Sequence, residues 1–289
     1  MPDLKHGIVL PNWEVDGDTE RLVEYAVAAE AAGWDGVFLA DHLAMSGEDG
    51  PPPFPDPWIT LAGIAARTEK LRLVSWVTPI PRRQPWQVAR DLATLDRLSD
   101  GRVILGTGLG RAFDYTTFGT PYEPKLLGRR YDEALDVITG LWTGEPFSYE
   151  GEHFTVDEAV MQPRPVQEPR IPIIVGGLWP NKQPFHRGAR WDGMIPHYRG
   201  DGIIPAEGLD PDETGDQDLP ARTVLRMATV NGASLFEGSW GPIEPGRVAR
   251  LLVLDATTDN LAGVEDPVRA VVRRAEPTDI ETVYFGASG

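Results

Sequence analysis

Along its first two hundred residues the chain repeats one phrase. A short apolar run is followed by a polar or glycine-rich break, and then by apolar positions at helical spacing. Residues 7–10 form the first apolar run. Asp18-Thr19 caps a helix through Ala32, with Leu22, Val23, Ala26, Val27 and Ala29 on its apolar side and Gly33 closing it. Residues 36–40 form the second strand, and a Gly/Pro-rich loop comes next over 46–57. Helices are predicted over about 58–68, 86–98 and 126–142, with strands at 71–77 and 102–107 between them. Residues 147–156 alternate around Glu150-Gly151 and predict an inserted β-hairpin. The phrase then resumes with a strand at 171–175, a short helix to Trp191 and a strand at 193–195.

Strands that are apolar throughout and alternate with helices imply a parallel sheet covered on both faces. Six such units predict an α/β protein built as a (β/α)8 TIM barrel, better than a single Rossmann half. Residues 201–220 have a different texture, acidic and rich in Gly and Pro, and read as a linker or solvated loop. Beyond them the pattern predicts a helix over 223–236, a strand over 248–254, a helix over 267–274 and a strand over 281–285. The domain reading is therefore a barrel over 1–200, a linker over 201–220 and a C-terminal segment over 221–289. Leu251, Val253, Val283 and Phe285 alternate as barrel strands do, so the expectation is that 248–254 and 281–285 close the barrel. The other reading is a segment that packs beside it as a passenger.

Composition narrows the chemistry. There is no cysteine, so disulfides, thiolate nucleophiles and cysteine-ligated metals are excluded. The formal charge of −17 argues against a nucleic-acid partner, because neutralising phosphates takes a Lys/Arg surplus. Lysine is confined to Lys5, Lys70, Lys125 and Lys182, while Arg, Asp and Glu abound. That acidity fits a salt-adapted cytoplasm, and equally a GC-rich genome that favours Arg over Lys. No run of about 18 apolar residues exists, so no membrane span is expected. The first residues lack the basic and apolar regions of a secretory leader, which points to the cytoplasm.

In a parallel barrel the residues after each strand carry the site. Here they are Asp41-His42, Ser75-Trp76, the glycine-rich stretch 106–110 with Thr107-Gly108, and Gly176-Gly177. Glycines at two strand ends let backbone amides approach an anion, although tight turns alone also need them. His42 is a candidate donor or general acid, because imidazole titrates near neutrality. Its bland alternative is a rim histidine bonded to Asp41 or to a loop carbonyl. No histidine pair has metal-ligand spacing, so no metal is expected.

Residues 28–42 (AAEAAGWDGVFLADH), the block 57–98 with Thr78-Pro79 and Arg82-Arg83, and residues 101–110 and 141–154 (LWTGEPFSYEGEHF) resemble the luciferase-like oxidoreductases. The likeness covers about residues 5–200. It implies a (β/α)8 barrel that binds FMN or the deazaflavin coenzyme F420 at the strand ends and acts on a small molecule. Catalysis would be by hydride transfer or monooxygenation, and a homodimer would be an admissible assembly. The resemblance places Asp41 and His42 beside the flavin ring. It places a supporting bulge, in this family often a non-proline cis peptide, at Ser75-Trp76, and the phosphate tail at Thr107-Gly108 and Gly176-Gly177. Residues 221–289 resemble instead the C-terminal end of metal-dependent amidohydrolases, whose upstream metal ligands this chain lacks. That second likeness keeps two alternatives open: an amidohydrolase-related fusion without its metal ligands, or a non-catalytic remnant.

Overall fold

Local chemistry starts the first two helices. The Asp18 carboxylate accepts the Arg21 N–H at 3.1 Å, satisfying a donor that a first helical turn leaves without an internal partner. Asp56 does the same for Trp58 and Ile59 at 2.9 and 3.0 Å, with Pro57 at the position where a missing N–H costs nothing. The computed structural model describes residues 6–15, 17–43, 45, 50–179, 181–198, 250–254 and 280–285. The chain divides into two compact units, Met1–Ile173 and Ile174–Gly289.

The first unit runs β1 (Gly7–Val9), α1 (Thr19–Ala31), β2 (Gly36–Leu39), α2 (Pro57–Ala65), β3 (Arg72–Ser75), β4 (Thr78–Pro79), α3 (Pro85–Leu98) and β5 (Val103–Gly108). Then come α4 (Phe113–Thr116), α5 (Pro124–Trp142) and the hairpin β6 (Phe147–Glu150) and β7 (Thr155–Ala159). Strands β1, β2, β3 and β5 pair in that order and all in parallel. Short β4 extends the contact, with Thr78 opposite Thr107 and Pro79 opposite Gly108. Each helix presents an apolar stripe to the sheet. Helix α5 buries Leu127, Tyr131, Ala134, Leu135, Ile138 and Leu141, the i, i+3, i+4 positions expected of a barrel's outer layer.

Strand β5 can lie against β3 only because position 106 is glycine. Any Cβ there would collide with the Ser75 carbonyl oxygen, and Ser75 Oγ donates to the Gly106 carbonyl at 2.7 Å. At the opposite end of the same strand sits Arg102, only 8% exposed. Its guanidinium donates to the carbonyls of Ser99, Leu71, Ala65 and Thr68 and to the Thr68 hydroxyl, over 2.7–3.2 Å. Burial lowers its pKa from the ordinary arginine value, and the ring of oxygens keeps the cation in place.

In the second unit β8 (Ile173–Trp179) pairs in parallel with β9 (Gly193–Tyr198), joined through α6 (Gln183–Gly188). Strands β10 (Arg250–Leu254) and β11 (Ile280–Phe285) form a two-stranded antiparallel sheet, with Arg250 opposite Phe285. This corrects the expectation that they complete a parallel barrel. Period-two alternation shows that a strand has two unlike faces, and leaves the direction and identity of its partner open. The expected linker over 201–220 and the helices over 223–236 and 267–274 lie outside the described residues. Among the described residues no helix is long and apolar enough to cross a membrane.

Replacing Arg102 with Met should destabilise the fold by at least about 3 kcal/mol, since it strips buried carbonyls of their donors. Lys should rescue little of this, because one ammonium cannot reproduce the fork. Urea unfolding of both variants tests this, and a loss below about 1 kcal/mol would show the cluster to be incidental.

Candidate active site

The rim of the first unit is organised by two buried carboxylates. Asp41, just past β2, is 2% exposed, and Asp114, at the start of α4, is 1% exposed. Neither could hold a charge there alone, because an isolated ion leaves water at great cost. The Arg82-Arg83 pair, just past β4, supplies the compensation. Arg82 Nη2 bonds Asp41 Oδ1, and Arg83 Nη2 bonds Asp41 Oδ2 at 2.9 Å. Arg82 Nη1 lies 3.6 Å from Asp114 Oδ1, and Arg83 also reaches Asp56 Oδ2 at 3.5 Å.

Asp114 then fixes His42. Its Oδ2 accepts from His42 Nδ1 at 2.7 Å, while Oδ1 accepts the Leu43 backbone N–H at 2.7 Å. The imidazole is therefore held by Nδ1, and Nε2 is the nitrogen left for chemistry. Phe54 meets the ring edge-on at 5.7 Å between centroids, and Phe113 lies tilted at 5.4 Å. From below, Asn12 pins the chain. Its side-chain amide donates to the Ala40 carbonyl at 3.0 Å, and its oxygen accepts the Ala40 N–H at 3.2 Å. Asn12 is fully buried, so the end of β2 is tied to β1 just before Asp41 begins.

Of the predicted residues, Asp41 and His42 sit together, but His42 pairs with Asp114 and not with Asp41 or a carbonyl. Asp41 has both oxygens bonded to arginines, so it anchors the rim. The Ser75 hydroxyl is committed to Gly106, which leaves only its backbone for any ligand. A non-proline cis peptide is present between Trp76 and Val77, one bond beyond the predicted Ser75-Trp76. Trp76 N–H donates to the Leu39 carbonyl at 2.7 Å, tying this bulge to the end of β2. Thr107 and Gly108 end β5, and Thr107 Oγ1 is buried without a hydrogen-bond partner among the described residues. Gly176 and Gly177 lie in β8 of the second unit. A Cβ on Gly177 would sit 2.6 Å from Pro184 Cβ, so the close packing of α6 already requires glycine there.

Sequence reasoning missed Asp114 and the task of the two arginines. Asp114 is 72 residues from His42, on a four-residue helix without periodicity, and no local signal points to it. Arg82-Arg83 stood in the motif, and two adjacent arginines after an apolar strand end were the usable clue. Glu133, Glu152 and His153 bring ligand atoms within 4.8 Å of one another. The Glu133 carboxylate, however, accepts the backbone N–H groups of Glu152, His153 and Phe154 at 2.8–3.2 Å. It works as the lock of the β6–β7 turn.

Residues 7–202 match the luciferase-like monooxygenase family. The chain belongs to that family. An F420-dependent glucose-6-phosphate dehydrogenase of Microbacterium testaceum is 36% identical over 205 residues, 70% of this chain and 56% of that protein. The chain thus spans little more than half the length of such a relative. A protein of the same description from Kineococcus radiotolerans is 29% identical over 277 residues, 91% of this chain and 77% of its own length. A match that long necessarily enters residues 221–289, and the amidohydrolase likeness of that segment is not shown. Among solved structures, the monooxygenase RslO1 of Streptomyces bottropensis superposes with a TM-score of 0.61 at 25% identity, covering 83% of this chain and 68% of that one. The architecture of this family member is accordingly luciferase-like, an α/β fold of the TIM-barrel type.

The network separates two kinds of residue by experiment. Asp41→Ala removes the hydrogen-bonded carboxylate of two half-buried arginines, leaving them only the longer contacts to Asp114 and Asp56, and should cost about 3 kcal/mol. His42→Ala, at a partly open position, should cost less than about 1.5 kcal/mol. Denaturant unfolding compares them, and equal losses would remove the distinction between anchor and reactive group.

Proposed function

We propose that this chain is an oxidoreductase that uses coenzyme F420, with FMN the alternative cofactor, to transfer hydride to or from a small organic substrate. It would act in the cytoplasm and without nucleic acid. The observation that carries the reading is the His42–Asp114 pair on the rim, together with a buried Thr107 hydroxyl that has no hydrogen-bond partner among the described residues. Buried polar atoms are almost always paired, so an orphan hydroxyl at a strand end fits a group that serves a ligand. The named dehydrogenase relatives support F420 over FMN.

His42, the backbone of Ser75-Trp76, Thr107 and Gly108 would hold the cofactor, with Asp41 anchoring the rim beneath. When bound, the deazaflavin supplies reversible hydride acceptance. His42 handles the accompanying proton. With Nδ1–H committed to Asp114, neutral His42 accepts at Nε2 the proton that a substrate hydroxyl loses as its carbon gives up hydride. In the reverse direction it returns that proton to the carbonyl oxygen. The Asp114 carboxylate holds the imidazole in orientation and stabilises the imidazolium while it exists, with the Arg82 guanidinium 3.6 Å from it. Phe54 and Phe113 wall the ring and limit the paths by which water could reach it.

The full chain should bind F420 with a change in deazaflavin fluorescence. His42→Ala should lower the rate of hydride transfer by about 10²–10⁴-fold while changing cofactor affinity only a few-fold. Stopped-flow absorbance with equilibrium fluorescence titration separates the two quantities. Absence of binding to both F420 and FMN by a cooperatively folded chain would overturn the proposal. An unchanged transfer rate in His42→Ala would remove His42 from it.

A further inference from the structure

Four rings touch in sequence along the rim of the first unit. Trp13 stacks on Phe54 with centroids 6.3 Å apart and 22° between the planes. Phe54 meets His42 at 5.7 Å, and His42 meets Phe113 at 5.4 Å. Trp13 follows β1, His42 follows β2 and Phe113 opens α4 after β5, so the rings form an arc at the C-terminal edge of the sheet. All four keep part of their surface open to solvent, and the His42 side chain is 23% exposed. The arc is also held in shape by the chain that carries it. Trp13 directly follows Asn12, which is fully buried and bonded both ways to Ala40. Phe54 stands among Pro51, Pro52, Pro53 and Pro55, whose rings fix much of that loop's backbone.

The polar groups around these rings are already committed to the protein. Trp13 Nε1 donates to Glu14 Oε1 at 3.2 Å. Asp41 is bonded by Arg82 and Arg83, and the Asp56 carboxylate accepts from Trp58 and Ile59 and lies 3.5 Å from Arg83. Asp114 accepts from His42 Nδ1 and the Leu43 N–H, which leaves His42 Nε2 for a reacting oxygen. A sugar gives up water from every hydroxyl it buries and needs a partner for each in return. The arc offers one such partner where several are required. A flat apolar ring asks for none, and it gains from contact with the faces and edges of other rings.

We infer that Trp13, Phe54 and Phe113 form a specificity arc for a substrate whose reacting carbinol or carbonyl carbon bears an aromatic ring. The inference rests on the oxidoreductase reading and names the substrate class of the same site. It sets this chain apart from the dehydrogenase relatives named for glucose-6-phosphate. The carbinol carbon gives its hydrogen with both electrons to the bound cofactor, His42 Nε2 takes the hydroxyl proton, and a ketone results. The arc meets the part of the molecule that does not react, so its residues set affinity.

The test titrates naphthyl methyl ketone into the full chain holding oxidised F420, by calorimetry. An oxidised cofactor cannot reduce the ketone, so the complex is stable and the readout is binding alone. Cyclohexyl methyl ketone and glucose-6-phosphate are titrated beside it. The naphthyl ketone should bind at least about threefold more tightly than the puckered cyclohexyl ketone, and more tightly than the sugar phosphate. Trp13→Leu and Phe113→Leu, at opposite ends of the arc, should each weaken the naphthyl ketone by about three- to tenfold and the cyclohexyl ketone less. Thermal unfolding checks that both variants are folded. Absence of naphthyl ketone binding, equal affinities for the flat and puckered rings, tighter binding of glucose-6-phosphate, or affinities unchanged in both variants each overturn the arc. An F420 affinity that falls in the variants by the same factor as the ketone's assigns the arc to the cofactor's ring and overturns the substrate assignment. A chain that binds the naphthyl ketone but neither F420 nor FMN keeps the ring site and removes the oxidoreductase reading, so the two failures are distinguishable.

Discussion

Everything at the rim depends on the burial of two carboxylates, Asp41 and Asp114, each just past a strand of the parallel sheet. Two negative charges sharing a dry site repel each other, and the structure resolves this by placing Arg82 between them and Arg83 beside Asp41. The consequence is geometric as well as electrostatic. Arginine's planar fork meets a carboxylate at fixed angles, so the loops after β2, β4 and β5 are held in mutual register by charge. His42 inherits its orientation from that arrangement, since the carboxylate that holds Nδ1 is itself held by the Leu43 N–H and lies 3.6 Å from Arg82.

The two ends of β5 show how one strand serves two purposes. Its N-terminal end carries Arg102, whose donors are all spent on carbonyls and a hydroxyl that local turns leave over. Its C-terminal end carries Thr107, whose hydroxyl is spent on nothing among the described residues. Saturation below and unmet valence above is the division expected of a barrel, where one face secures the fold and the other receives ligands. Glu30 belongs with the saturated side. It accepts the backbone N–H groups of Glu69, Lys70 and Leu71. Burial raises its pKa, but those three bonds outweigh it and the net shift is downward. A carboxylate so held contributes stability above its ordinary titration range and loses it as pH falls through the lowered value.

Much of the fold was legible in the sequence, for identifiable reasons. The helices over 19–31, 85–98 and 124–142 announce themselves through apolar stripes, and the hairpin through its alternation. Asp41, His42 and Thr107 could be found because a parallel strand ends abruptly and the residues at its C-terminal end must form the rim. Partners were beyond reach. Asp114 meets His42 across 72 residues, and nothing in a one-dimensional pattern encodes which rim side chain will face another. The same limit explains β10 and β11. Their alternation was visible, and their pairing with each other was not, because backbone donors and acceptors are alike in every strand. Ser75 and Gly177 show the converse: both stand where a ligand could be met, yet one is occupied by a neighbouring carbonyl and the other is glycine for the sake of a helix.

Asn12 has a role that reaches past its own strand. Its amide imitates a strand partner, giving and receiving one bond with Ala40 as a neighbouring peptide would. An amide, unlike a peptide, ages: hydrolysis to aspartate keeps the shape and turns the donor into an acceptor. The Ala40 carbonyl would then confront an oxygen, and the loosened residue would be the one directly before Asp41. The placement of Asp41 thus rests on a neutral side chain whose donor and acceptor are both needed at once.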